Sequence, residues 1–318
     1  MNSSSDFDAF YRAELLPILT ALETRRRALC RSLGLWAGVG VALAVAAVLA
    51  FRAPAALLVA AAALAVGGGL VWRWTTADFV RQFKAGVIAP LVRLYGPALR
   101  YDAAGHVSQA RFEDSGIFRQ RIDRFRGEDA VAGRVGETAL EFSELHAEYK
   151  TETRDSKGRR HTHWHTIFKG LFFVADFNKH FAGRTVVLPD VAQRALGRLG
   201  QKLQELNCCR DPLVKLEDPE FEKEFVVYGT DQIEARYILS PALMRRLLEF
   251  KRRSGCPLAV SFVNSAVFLA ITTGRDFFEP SVFRTLLDPA RARQYAEDLR
   301  FALGLVDELN LNTRIWTK

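Results

Sequence analysis

Apolar and polar positions follow three rhythms along this chain. Leu33–Phe51 and Pro54–Trp72 are two runs of 19 residues without a charge, and Arg52–Ala53 alone separates them. A hydrocarbon layer of roughly 30 Å is crossed by about 20 helical residues, so either run predicts a transmembrane helix and the pair an up–down hairpin. Pro54 suits the start of the second span, where its missing N–H is not needed. On either side the period becomes helical and amphipathic. Phe10, Leu15, Leu19 and Leu22 mark one stripe, and Phe79, Phe83, Val87, Leu91 and Leu94 mark another that Gly96–Pro97 ends. The two stripes predict helices that pack on each other as a stalk.

From about Ala130 the period falls to two. Leu140, Phe142 and Tyr149 mark one strand; Asp155-Ser156-Lys157-Gly158 reads as a hairpin tip, and Trp164 to Val174 as the returning strand. Thr185–Leu188, Val214–Leu216, Phe225–Tyr228 and Ala235–Leu239 read as further strands, and Val191–Asn207 as a helix. Ser240-Pro241 opens a helix that Gly255 closes. Leu258–Phe262 and Val267–Thr272 form a hairpin about Asn264-Ser265. A helix over Gln294–Leu309 follows, and then Leu311–Trp316.

The fold class expected is therefore α+β: an N-terminal two-span transmembrane helical hairpin plus a cytoplasmic domain of mainly antiparallel sheet with flanking helices. The divisions are 1–32 as a cytoplasmic amphipathic helix, 33–72 as the hairpin, 73–100 as a stalk helix and 101–318 as the α+β domain. Strands followed by a terminal helix also fit, loosely, a pleckstrin-homology-like barrel.

Charge sets the orientation. Arg25, Arg26, Arg27 and Arg31 precede the first run, and Arg73, Arg81 and Lys84 follow the second, while the turn holds Arg52 alone. Both termini are thus expected on the cytoplasmic side of the membrane. Neither run carries an ionisable residue, which argues against a channel or transporter. Net charge is +8, spread without a basic block interleaved with aromatics, so no nucleic acid is expected. Basic residues near the runs suit a lipid bilayer as partner. The four cysteines, Cys30, Cys208, Cys209 and Cys256, have no metal-site spacing and are expected as free thiols.

Several segments together resemble an uncharacterised bacterial membrane family, domain of unknown function 3137, also labelled galanin-like. They are Phe112–Phe118 (FEDSGIF), Gly127–Gly136, Phe142–Leu145 (FSEL), Phe168–Asp190 (FKGLFFVADFNKHFAGRTVVLPD), Leu216–Pro241 and Leu311–Trp316. The resemblance implies a two-span anchor with a cytoplasmic domain, and it implies no catalytic residue. It also hints at a membrane protein partner of the LemA kind, a small membrane-attached helical family.

The sharpest local chemistry is His161-Thr-His163-Trp-His165. Alternate strand residues face one way, so three imidazoles could meet a zinc ion; the competing reading is an exposed polar sheet face beside a charged turn. Glu217-Asp218-Pro219-Glu220-Phe221-Glu222 gathers carboxylates, yet Asp218-Pro219 is a turn signal, and capping explains the acids better than acid–base catalysis. Gly127, Gly133 and Gly136 are too widely spaced for a phosphate cradle and fit turns or bulges. The aromatic stretch Phe168–Phe181 reads mostly as core. The alternative for it is a partner- or lipid-surface patch of Lys169, Phe172, Lys179 and Arg184. The sequence therefore favours a membrane-anchored binding or scaffolding domain with no catalytic residue and no cofactor beyond that zinc. The alternative is a membrane-tethered hydrolase or metal-dependent enzyme using the histidines or the acids.

Overall fold

The computed structural model describes residues 4–51, 54–156, 158–177, 180–190 and 211–309. The expected helix Val191–Asn207, the pair Cys208-Cys209, Lys179 and the segment Leu311–Trp316 lie outside the described residues. The chain divides into two compact units, residues 1–95 with 278–298, and residues 96–277 with 299–318.

The first unit is helical. α1 (Ser4–Phe10) runs through a π-helical turn at Tyr11–Leu15 into α2 (Leu16–Phe51). α3 (Pro54–Phe83) passes through a second π-helical turn, Lys84–Ile88, into α4 (Ala89–Tyr95). The two amphipathic stripes pack as the sequence predicts: Leu15, Leu19 and Leu22 are buried on one helix and Phe79, Phe83, Val87 and Leu91 on the other. Arg25 donates to Gln82 across the pair. Gly86 is needed there, because a Cβ at this position would lie 2.9 Å from Ile18 Cγ2. The segment Phe278–Asp298, more than 180 residues further along the chain, adds the buried Phe278, Val282 and Leu286 to this unit. Among the described residues no helix is long and apolar enough to cross a membrane. The turn residues 52–53, and the side chains of most of 44–66, are not among them.

The second unit is an antiparallel sheet of nine strands among the described residues, in the order β1-β2-β3-β4-β9-β8-β5-β7-β6. The strands are β1 (Arg100–Asp102), β2 (Arg124–Val135), β3 (Thr138–Arg154), β4 (Arg160–Asp176), β5 (Arg184–Pro189), β6 (Leu213–Val214), β7 (Phe225–Gly229), β8 (Leu258–Val263) and β9 (Ala266–Thr272). Among the described residues the sheet is open, with β1 and β6 at its edges, which does not fit the barrel alternative. One face carries Leu145, Phe168, Phe172, Val174, Phe268 and Ala270, and the segment with Val107, Phe112 and Ile117 covers it. Two buried bonds fasten that cover. Val107 N–H donates to Ser143 Oγ at 3.0 Å, and Ser261 Oγ donates to the Ser115 carbonyl. The cover includes the helix α5 (Gln109–Asp114), capped by Ser108, whose Phe112 ring stacks on Phe118 at 5.1 Å. Residues of the other parity, such as Phe142, Phe173, Leu269 and Ile271, are buried on the opposite face.

Three further helices flank the sheet strands in sequence: α6 (Pro219–Glu222), α7 (Gln232–Ile238) and α8 (Pro241–Ser254). α8 starts and stops as expected, with Ser240 Oγ accepting from Leu243 N–H and Gly255 in the left-handed region at φ 64°. The reading of Ala235–Leu239 as a strand is corrected. It lies in α7, because Asp231 accepts from both Ile233 N–H and Glu234 N–H and so caps a helix there. α9 (Pro289–Glu308) closes the described chain and continues from the first unit into the second.

Candidate interaction surfaces

β3 and β4 are each 17 residues long, and their neighbours are much shorter. β2 meets β3 only as far as Glu148, and β9 meets β4 only as far as Gly170. Among the described residues, Tyr149–Arg154 and Arg160–His165 therefore pair as strands only with each other. They form a bare two-stranded ribbon of about 20 Å at the usual rise per residue. The three histidines share one face of it, but each imidazole has its own neighbour. His165 Nε2 lies 2.8 Å from Thr151 Oγ1, His163 Nε2 lies 3.3 Å from Thr153 Oγ1, and His161 Nε2 lies 3.5 Å from Asp155 Oδ2. The His165 ring also stacks on Tyr149 at 4.9 Å. Alternate positions on a strand are about 7 Å apart. The three rings are not gathered within the 4.8 Å that would let them share an ion. On the other face the Arg124 guanidinium lies 3.7 Å above the half-exposed Trp164 ring. An open groove of about 500 Å³ runs beside the ribbon, lined by Gln120, Arg121, Asp123, Tyr149, Lys150 and Glu152.

Three of the four acids in Glu217–Glu222 are engaged. Asp218 Oδ1 caps α6 by accepting from Glu220 N–H and Phe221 N–H, both at 3.0 Å. Glu222 accepts from Leu216 N–H at 2.8 Å, and Glu220 pairs with Arg252. Of the patch considered on Phe168–Arg184, Lys179 lies outside the described residues and the other three members are otherwise engaged. Phe172 is wholly buried in the core, Lys169 bridges to Asp276 at 3.1 Å, and Arg184 bridges to Asp211 at 3.0 Å.

Two acidic residues that the sequence reading passed over are the most perturbed. In the second unit, burial pushes the Glu144 carboxyl up to about 7; the Phe277 N–H, 2.6 Å away, pulls it down, and Asp129, Asp276 and Glu128 push it further up. Its proton is held more tightly in the folded chain than in the unfolded one. Stability should therefore decline as pH climbs from about 4.5 through about 7 and level off above. Glu144→Gln, which keeps an acceptor for Phe277 N–H, is expected to raise stability at pH 8 by roughly 2 kcal/mol. The gain should vanish below pH 4.5, and chemical denaturation at both pH values measures it. In the first unit, buried Glu23 takes a two-pronged grip from Arg26, both bonds at 2.8 Å, with Arg27 Nε at 3.0 Å and Leu286 N–H at 3.1 Å. The i, i+3, i+4 spacing to Arg26 and Arg27 was readable as a helical ion pair. The bond to Leu286, 263 residues away, was not.

Comparison with known sequences bears on the second unit and on the 278–298 segment of the first. Residues 166–311 match the sequence model of the family described as Protein of unknown function (DUF3137). That stretch, a little under half of the chain, is similar to DUF3137. The DUF3137 match begins within β4 and takes in β5 to β9 and α6 to α9. The resembling segments from Phe112 to Leu145 precede it. No curated protein matches the chain. Among solved structures, the crystal structure of the mycobacterial trehalose monomycolate transport factor A, TtfA, aligns at 11% identity with a TM-score of 0.33. That alignment covers 72% of this chain and 94% of that one.

Proposed function

We propose that this chain is a two-span protein of the bacterial inner membrane whose DUF3137-like part binds or scaffolds a partner on the cytoplasmic side. The observation that carries the anchor is the surface of α2. Leu35, Trp36, Val39, Val41, Leu43 and Val45 are each 50–72% exposed. At 100° per residue these six point to several sides of the helix, so a single packed neighbour would not cover them. Contiguous exposed apolar surface of this kind calls for an apolar surrounding, and a bilayer supplies it all round. The uncharged runs Leu33–Phe51 and Pro54–Trp72 and the arginines flanking them support the same reading, with both termini cytoplasmic.

Binding rather than turnover is supported by how the polar clusters are used. Asp218, Glu220 and Glu222 cap and bridge, and the histidines contact hydroxyls and one carboxylate. The ribbon of β3 and β4 offers Tyr149 and three imidazoles on one face and the half-exposed Trp164 on the other. A membrane protein of the LemA kind is the partner this reading puts first. Crosslinking in native membranes, followed by pull-down on the full chain, is expected to recover one recurring membrane protein. Removing residues 151–163 of the ribbon should abolish that recovery. An unchanged recovery would take the ribbon out of the proposal, and a reporter fused after Lys318 that proves periplasmic would end the topology.

A further inference from the structure

The loop between β9 and α9 has one feature the core does not account for. Val282 and Leu286 are buried, yet Phe283 between them is 74% exposed. Its ring is stacked on Trp72, with centroids 5.2 Å apart and an interplanar angle of 17°. Trp72 ends the second uncharged run, and Trp74 beside it is 80% exposed. Helices α2 and α3 run antiparallel, fixed in register by Arg25 against Gln82 and Ile18 against Gly86. Counting outward at equal rise from those contacts sets Trp36, itself 62% exposed, level with residues 68–71 and one turn from Trp72. Four large aromatic side chains, Trp36, Trp72, Trp74 and Phe283, thus lie within about one helical turn of each other along the helix axis. Arg31, five residues before Trp36, and Arg284, directly after Phe283, are both exposed.

The loop is held in place on both sides of Phe283. Arg26 Nη1 donates to the Val282 carbonyl at 2.8 Å, and Cys30 Sγ lies 3.3 Å from the same oxygen. Leu286 N–H is held by Glu23, and Glu279 pairs with buried Lys84 at 2.8 Å. Even stacked on Trp72, the Phe283 ring on this pinned loop keeps most of its apolar surface in water. Placed at the polar–apolar boundary of a bilayer it removes apolar area from water, and the neighbouring arginines meet anionic headgroups.

We infer that the 278–288 loop is a third membrane contact of this chain, with Phe283 seated beside Trp72 in the interfacial layer of an anionic bilayer. This rests on the anchored reading above and adds to it a contact from the far end of the sequence. The test uses the full chain with its cysteines replaced by serine, reconstituted in vesicles of phosphatidylcholine and phosphatidylglycerol. A nitroxide is attached at Phe283→Cys or, in a second variant, at Leu43→Cys. Collision with oxygen is compared with collision with a water-soluble nickel chelate. Both labels are expected to meet oxygen several-fold more than nickel, the label at 43 most strongly. A lipid-embedded label at 43 with a nickel-accessible label at 283 overturns the inference and leaves the anchor standing. Nickel access at both positions overturns the anchor and the inference with it. A label at 283 shielded from both reagents marks a protein contact there, such as a second copy of the chain, and also overturns the inference.

Discussion

Replacing Glu23 by alanine is expected to weaken the helical unit by roughly 3–5 kcal/mol, the usual cost of stranding one partner of a buried ion pair. Arg26 would keep its guanidinium, only 12% exposed, without the carboxylate that now takes two of its N–H groups. Leu286 N–H would lose its acceptor as well. Hydrogen exchange on the full-length protein reads the effect directly, as loss of protection at Leu286 and at the buried turns of α2 around Leu19 and Leu22. The same carboxylate sets an acid limit. The Arg26 hydrogen bonds, with those from Leu286 N–H and Arg27, outweigh burial and hold its pKa at about 2, against 4.5 for an ordinary glutamate. Its stabilisation is complete above pH 4.5 and drains away as pH falls towards 2. Glu23→Gln, which still accepts from Leu286 but has no charge for Arg26, should fall between wild type and Glu23→Ala and lose most of the acid dependence. Equal protection in all three proteins would show that the loop is held by its apolar contacts alone.

The second large effect is expected at Gly170, in the middle of the sheet. Its φ is +152°, and a Cβ there would sit 2.1 Å from the Ile271 carbonyl oxygen and 2.8 Å from Thr273 N. β4 passes β9 at this point as the last paired residue before the ribbon begins, so neither backbone has room to retreat. Gly170→Ala combines an unfavourable dihedral with a backbone clash and should cost more than about 4 kcal/mol, enough to deplete the folded chain. Gly158 is the control: its φ is also positive, at +76°, but nothing lies within 4 Å. Gly158→Ala should cost only the dihedral, about 1–2 kcal/mol. Thermal unfolding followed by near-ultraviolet circular dichroism separates the two. Similar midpoints for both variants would mean that the clash at Gly170 is relieved by a small shift of β9.

What was legible in the sequence divides along the range of the forces involved. Ser240-Pro241 and Gly255 bracket α8 because a hydroxyl cap, a ring-fixed φ and a left-handed residue each act within one turn. Asn264, at φ 56°, turns β8 into β9 for the same local reason. The stalk was readable because its apolar residues repeat at helical spacing. α7 was misread because Ala-Arg-Tyr-Ile-Leu looks like strand, while the deciding signal, the Asp231 cap, lies upstream of it. β2 was not marked as a strand because its first half, Arg-Phe-Arg-Gly-Glu-Asp, buries little and leads into a bulge where Asp129 takes φ 60°. For the candidate surfaces, sequence found the histidines but not their separate partners across the ribbon. Glu23, Glu144 and Phe283 stayed hidden because each takes its meaning from a residue more than 130 positions away, Leu286, Phe277 and Trp72 respectively.

The overhang of β3 and β4 has a further consequence. Beyond Lys150, whose N–H donates to Asp123, its strands have no strand neighbour on their outer edges among the described residues, an invitation to a passing strand to join. Its side chains decide which guests are admitted. Lys150, Glu152, Arg154, Arg159 and Arg160 crowd a few residues at the tip, and Lys150 and Arg160 both lie near Glu152. A second identical tip brings the same charges to the same places, so self-recruitment into growing fibrils is discouraged. A foreign strand bearing acidic side chains meets no such penalty. The unfinished end of the sheet is in this sense a lock that keeps out its own kind and stays open to strangers of opposite sign.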